Sequence, residues 1–324
     1  MDITGYEYLP SSPVIDDLIF LLIAAPDLGL LPEIHKVSPG RSVTIDKLEG
    51  NDQAQTVTFI NDSSQICITI PRLSDLQRGT VPARDLFLIL LILMAKNCIR
   101  KGKLCNPRIE FTLKDLVSSG CYKSTHTAKT GLESAMKLLM TIQVSWTTHK
   151  NKKTQLHSRV LFTGCDISSG KCNVQINTEI DWSFIMKFFT LLPSCYPTLP
   201  RKAADLLYLV MYLLRQNIPH ILKDQAFSIK LQTIMVRLAL PSPSISKNPK
   251  RDVWAPIEDA VSQINNAVKA EDLRLELSAP TDKKTTDKLK LGKIIVHVGG
   301  TPLAYYRTIP EKAHTKQEAV SQMA

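Results

Sequence analysis

The chain lacks the common catalytic signatures. No GxxxxGK[ST] loop is present to cradle nucleotide phosphates, no HExxH to hold zinc, and no Gly-x-Ser-x-Gly elbow. No His-x-His pair occurs and His297 stands alone, so Tyr305-Tyr306 has no metal ligands of the kind a strand-nicking tyrosine uses. CxxC is absent as well. The seven cysteines (Cys67, Cys98, Cys105, Cys121, Cys165, Cys172 and Cys195) are odd in number, without zinc-ligand spacing and with no secretory signal ahead of them. That set predicts free thiols in a reducing cytoplasm and no metal site. His149 and His157 flank one Lys-rich turn, but no third ligand accompanies them. Residues 18–25 and 86–95 are apolar yet far short of the ~20 residues that cross a bilayer, and read as core helices. The expectation is a protein with no catalytic constellation, no cofactor and no membrane span.

What the chain does have is unevenly spread charge. The formal net charge is +10. Residues 1–85 hold 6 Lys+Arg against 12 Asp+Glu, a balance of −6, and residues 86–324 hold 34 against 18, a balance of +16. A strongly basic region is the electrostatic footprint of a nucleic-acid binder, because each neutralised phosphate releases counterions. A solvated lysine surface gives the same balance, so charge alone leaves both readings open. The acidic first 80 residues suit packing or partner binding better than DNA contact. Within them, residues 14–25 read as a helix stopped by Pro26, and residues 56–60 and 66–70 as a hairpin.

The remainder repeats an order of elements. Ala83-Arg84-Asp85-Leu86-Phe87 opens an apolar helix to about residue 99, and Phe111-Thr112-Leu113-Lys114 opens a second helix to residue 118. Ser124 or Thr125 caps a third, in which Ala128, Leu132, Ala135, Met136 and Leu139 recur at core-face spacing. Strands at 143–148 and 159–164 bracket a basic turn, and residues 171–177 add a third strand. Residues 181–189 read as a short helix, and the Pro-rich stretch 192–200 as a packed hinge. The order then recurs. A helix spans residues 201–216, Phe227-Ser228-Ile229-Lys230 opens a helix to residue 240, and a basic loop at 244–251 leads into a helix to about residue 269. There Ile257, Val261, Ile264 and Val268 face inward, and strands at 273–279 and 293–298 follow. Three helices followed by a two-stranded wing is winged-helix order, a helix-turn-helix variant. The expected fold class is therefore α+β: two tandem winged-helix domains with an additional N-terminal α/β region. The predicted boundaries are 1–80 for the acidic region, 81–196 and 197–310 for the two domains, and 311–324 for a flexible tail.

A recognition helix enters the major groove near its N-terminal end, and basic wings reach phosphates beside it. In the second domain this points to Arg251 for reading a base, since a guanidinium can grip guanine O6 and N7 together. Lys247, Lys250 and the wing lysines Lys283, Lys284, Lys288 and Lys290 suit phosphate. In the first domain the stripe of Lys123, Thr127, Thr130, Ser134 and Lys137 and the turn lysines Lys150, Lys152 and Lys153 are candidates, although an ordinary solvated face looks the same. Trp146 and Trp254 read as core.

Residues 81–300 resemble a known family, the iteron-binding plasmid replication initiators. The resemblance rests on Phe111-Thr-Leu-Lys-Asp-Leu with Leu132-Glu-Ser-Ala-Met-Lys-Leu-Leu139, and on the hydrophobic-aromatic run 184–196 leading to Arg201-Lys-Ala-Ala-Asp-Leu-Leu-Tyr208. Its most specific stretch is Lys250-Arg-Asp-Val-Trp-Ala-Pro-Ile-Glu-Asp-Ala-Val-Ser-Gln-Ile-Asn265, followed by Asp272-Leu-Arg-Leu-Glu-Leu277. Asp259 stands where the family commonly has a basic residue, and Ser262 where it has an acid. The acidic first 80 residues have no counterpart. The resemblance implies binding to repeated duplex sites at a plasmid or mobile-element origin, help with origin opening, and recruitment of a host initiator and the replicative helicase. It also implies a homodimer through the first domain and action in the cytoplasm on plasmid or nucleoid DNA. A transcriptional regulator of the same build, or a partner-binding component of a mobile-element complex, remain rivals.

Overall fold

The structure is a computed structural model that describes residues 5–24, 34–38, 41–47, 55–61, 66–71, 73–100, 103–150, 153–180, 188–238, 240, 246–280 and 284–308. It is an α+β protein in two compact units. One runs from Tyr8 to Phe189; the other takes up the chain from Thr190 and includes residues 5–7. The predicted helix at 181–189 falls largely outside the described residues, as do Lys152, Lys283 and the tail 311–324.

The chain enters the first unit through strand β1 (Tyr6–Ser11), then forms helix α1 (Pro13–Ala24) and strands β2 (Ile34–Ser38), β3 (Arg41–Lys47), β4 (Gln55–Asn61) and β5 (Ile66–Pro71). Helix α2 (Leu73–Asn97) starts ten residues earlier than its apolar pattern implies and holds Pro82 within it. Its buried residues Leu86, Phe87, Leu90, Leu91 and Met94 form the centre of this unit, with Phe87 edge-on to Phe162 at 6.1 Å. Short strands β6 (Ile99–Arg100) and β7 (Lys103–Leu104) precede β8 (Arg108–Thr112), helix α3 (Leu113–Ser118) and helix α4 (Thr125–Leu139). Four strands follow: β9 (Gln143–Lys150), β10 (Lys153–Val160), β11 (Phe162–Ser168) and β12 (Lys171–Ile176).

Two corrections concern this unit. The first 80 residues are not a separate region. Strand β5 hydrogen-bonds to β9, with Cys67 opposite Ser145, in one sheet of order β10-β9-β5-β4-β3-β2. Helix α1 packs on α2. A strand edge left unpaired exposes its N–H and C=O groups, and pairing β5 with β9 removes that cost. The unit also ends at residue 189 and not at 196. The second correction concerns the basic turn. Lys150 and Lys153 are strand residues directly opposite each other, so the paired strands reach further into the basic segment than predicted. Strand β8 pairs with β12, in a separate sheet of order β11-β12-β8, and not with the basic hairpin.

Strand β13 (Phe188–Pro193) spans the boundary in sequence at residue 190, and helix α5 (Arg201–Gln216) follows in the second unit. Helix α5 is buried almost all round, from Ala203 through Tyr212, and packs on α8 (Ala255–Ala267). Fully burying each leucine of this kind contributes roughly 1.5–3 kcal/mol. The chain between these helices holds α6 (Ile218–Asp224), unforeseen from the sequence, then β14 (Ala226–Lys230) and α7 (Leu231–Arg237). After α8 come β15 (Leu273–Ser278), α9 (Thr285–Leu291), β16 (Lys293–Val298) and α10 (Gly300–Thr308). The sheet is antiparallel, of order β14-β16-β15.

In both units the second predicted helix begins with a strand. Phe111 lies in β8, opposite Cys172, and the strand ends at Thr112, whose side chain accepts from the Asp115 N–H while the Asp115 carboxylate accepts from the Thr112 N–H. That reciprocal cap starts the helix only after Thr112. Phe227 lies in β14, opposite Val296.

Candidate nucleic-acid interface

The approach to α8 is a tightly bonded loop. The Ser246 hydroxyl donates to the Asp252 carboxylate at 2.7 Å and accepts from the Asn248 N–H at 3.1 Å. Asn248 Oδ1 accepts from the Arg251 N–H at 3.1 Å. Residues Lys250–Trp254 form a π-helical turn that runs directly into α8, with Val253 buried beneath it. Single π-helical turns of this kind are frequent at functional sites. Lys247, Lys250 and Arg251 project from this rigid loop into solvent. Arg251 Nε donates to Asp252 Oδ1 at 2.7 Å. The Ser246 hydroxyl and the Arg251 guanidinium hold the Asp252 carboxyl below its ordinary range. Along the rest of α8 the exposed charges are acidic: Glu258 and Asp259, the latter accepting from Gln263 Nε2 at 2.7 Å.

The predicted second wing is corrected. The connection from β15 to β16 contains helix α9, which packs on α7 and on the π-helical turn. Lys284 and Lys290 are exposed. Lys288 is half-buried, its ammonium 6.0 Å from the centre of the Trp254 ring, a cation–π contact. Trp254 is thus half-buried at the surface and not core.

In the first unit α4 starts on a reciprocal cap. The Ser124 hydroxyl accepts from the Thr127 N–H at 3.2 Å, and Thr127 Oγ1 accepts from the Ser124 N–H at 3.1 Å. Ala128, Leu132, Ala135, Met136 and Leu139 are buried, as their spacing predicts. Lys123, Thr127, Thr130, Ser134 and Lys137 are exposed. His126 and Lys129 extend that face and were missed from the sequence, although they lie beside the stripe in the first turns of the same helix. Two of the predicted hydroxyls are engaged within the helix: Thr127 Oγ1 in the cap, and Thr130 Oγ1 donating to the His126 carbonyl at 3.3 Å. Glu133 is the one acid on the exposed face of α4.

The turn before α4 is set by a close approach. The Tyr122 ring lies over Gly131, where an added Cβ would clash with Tyr122 Cε1. Gly131→Ala must push this ring out and drag the turn with it. We expect a cost of about 1 kcal/mol or more, read as a lower urea midpoint; an unchanged midpoint would show that the ring does not fix the turn.

Other reactive groups are quiet. Burial pushes the thiols of Cys98, Cys165 and Cys172 up to about 11 and that of Cys121 to about 12. Burial also raises the Tyr306 phenol, whose ring is wholly inside the second unit and 5.1 Å from that of Tyr305. His297 Nε2 lies 3.5 Å from the Glu276 carboxylate. Among the described residues no group of three or more His, Cys, Asp or Glu is placed to hold a metal ion, and no helix is long and apolar enough to cross a membrane.

No protein-family model matches the chain, and no curated protein matches its sequence. Solved structures similar to it include a crystal structure of RctB domains 2–3, with TM-score 0.46 and 8% identity over 83% of this chain and 94% of that one. A selenomethionine derivative of RctB domains 2 and 3 gives TM-score 0.42 and 9% identity over 87% of this chain and 99% of that one.

Proposed function

We propose that the chain is a non-enzymatic, duplex-DNA-binding protein built on two winged-helix units, and that it initiates replication at repeated sites of a plasmid or other mobile-element origin. The observation that carries the DNA-binding reading is in the second unit. Helix α5, strand β14, helices α7 and α8, and strands β15 and β16 follow one another, with α6 and α9 inserted and with the sheet order β14-β16-β15, which is compatible with a winged helix. Three exposed cations, Lys247, Lys250 and Arg251, stand at the entry to the third helix of that set, where a recognition helix meets the major groove. In the first unit α2, β8, α3 and α4 come in the corresponding sequence, and α4 with the residue before its cap adds a face with Lys123, His126, Lys129 and Lys137. The acids Glu258 and Asp259 confine contact along α8 to its first turn and the loop before it.

The initiator part of the reading rests on the resemblance of residues 81–300 to the iteron-binding initiators. In that role the protein works in the cytoplasm on plasmid DNA, opens the origin and recruits a host initiator and the replicative helicase. Dimerisation through the first unit completes the role. Footprinting on the DNA that flanks its gene tests it. We expect protection of several direct repeats about two helical turns apart, beside an AT-rich stretch. Protection of a single inverted repeat in a promoter, with replication unaffected by deletion, would make it a regulator instead.

A further inference from the structure

The most exposed large apolar side chain among the described residues is Leu291, at 65%. Its setting is unusual. It is the last residue of α9, a helix that also carries Lys288 and Lys290, with Lys284 at its start. The opposite side of α9 is anchored by Leu289, which is buried. The backbone beside Leu291 is fixed: the Gly292 N–H donates to the Lys288 carbonyl at 2.7 Å, and the Gly292 carbonyl accepts from the Leu231 N–H at 3.0 Å. A Cβ at Gly292 would lie 2.8 Å from Leu231 Cδ1, so the chain passes hard against α7 there. Leu291 therefore projects from a braced element and not from a loose loop. The same helix packs on the turn that carries Lys250 and Arg251.

An apolar side chain among lysines, on a rigid element beside a groove-entering helix, has the chemistry of a DNA wedge. Wedges of this kind enter from the minor groove, partly unstack a base step and kink the duplex by ~20–90°. We propose that Leu291 is such a wedge: it inserts into the minor groove next to the site occupied by the π-helical turn, while Lys284 and Lys290 hold the phosphates on either side. This rests on the DNA-binding reading above. It assigns to α9 a second task, deforming the duplex, that lysines alone do not perform. Pyrimidine–purine steps such as TA unstack most cheaply, so the wedge favours AT-rich sequence without reading a base.

The test uses the full chain and an AT-rich duplex of about 30 base pairs labelled at both ends, with bending followed by energy transfer and affinity by anisotropy. Wild type should shorten the end-to-end distance on binding. Leu291→Ala should bind about tenfold more weakly with the salt slope unchanged and should lose the bend; Leu291→Met should restore it. Because Leu291 is mostly exposed, the variants should keep the wild-type urea midpoint. Wild type that binds without bending, or Leu291→Ala that bends the duplex fully, overturns the wedge and leaves DNA binding intact. Wild type that fails to bind any duplex overturns both.

Discussion

Between about 50 and 200 mM salt, affinity for duplex DNA should fall by roughly 10³- to 10⁵-fold, as expected for a protein that neutralises six to ten phosphates. The second unit presents Lys247, Lys250, Arg251, Lys284 and Lys290 to solvent, and the first presents Lys123, Lys129 and Lys137. These side chains are exposed and so keep their hydration until a phosphate displaces it, which makes their contribution counterion release more than buried pairing. A log–log slope of about −5 or steeper follows if six of them engage. Fluorescence anisotropy against one duplex at four salt concentrations gives the slope directly. A slope near zero, or no binding at physiological salt, would mean that the +16 balance of residues 86–324 is a solvated surface.

The residues that made the architecture legible were those whose spacing encodes a period. In α4 the core positions Ala128 to Leu139 and the cap at Ser124 were readable, because a 3.6-residue repeat and a capping hydroxyl are local signals. Helix α5 and strand β16 were readable from their own local patterns, an apolar helical run in the first and two-residue alternation in the second. What failed was the short alternating segment. Arg108-Ile109-Glu110-Phe111 alternates exposed and buried, but its end, Phe111 and Thr112, was read as the opening of the next helix; the same happened from Phe227 to Lys230. Both strands are held by partners far along the chain, β12 and β16, which no local pattern announces. The pairing of β5 with β9 was hidden for the same reason, since Cys67 and Ser145 are joined only by the fold. At the candidate interface, residue types were legible and their engagements were not. Lysine-rich 283–290 read as an open wing. It contains a helix because Leu289 finds a buried site, and that packing brings Lys288 over Trp254.

The engagement of Arg251 sharpens the remaining prediction. Its side chain is 76% exposed, yet its Nε is committed to Asp252, which Ser246 holds in place. The Asp252 carboxyl is held below its ordinary range and stays ionised at neutral pH, so it can brace the guanidinium through Nε. The two Nη groups remain on the far side of the plane, in the fork that matches guanine O6 and N7. The brace has a cost: it neutralises part of the charge that a phosphate would seek. Arg251 is therefore better suited to a base than to the backbone, and Lys250, without such a partner in this loop, to the backbone. Arg251→Ala should cost roughly 1–3 kcal/mol on the specific site and much less on random DNA, relaxing preference at one or two base pairs. Lys250→Ala should weaken both alike, because phosphate carries no sequence information. Titrating each variant against the specific site and a scrambled duplex at one salt concentration separates the two. A uniform loss for Arg251→Ala would return it to the phosphate-binding set. No loss would move base reading to the first unit, where α4 offers His126, Lys129, Thr130 and Lys137 with one acid among them.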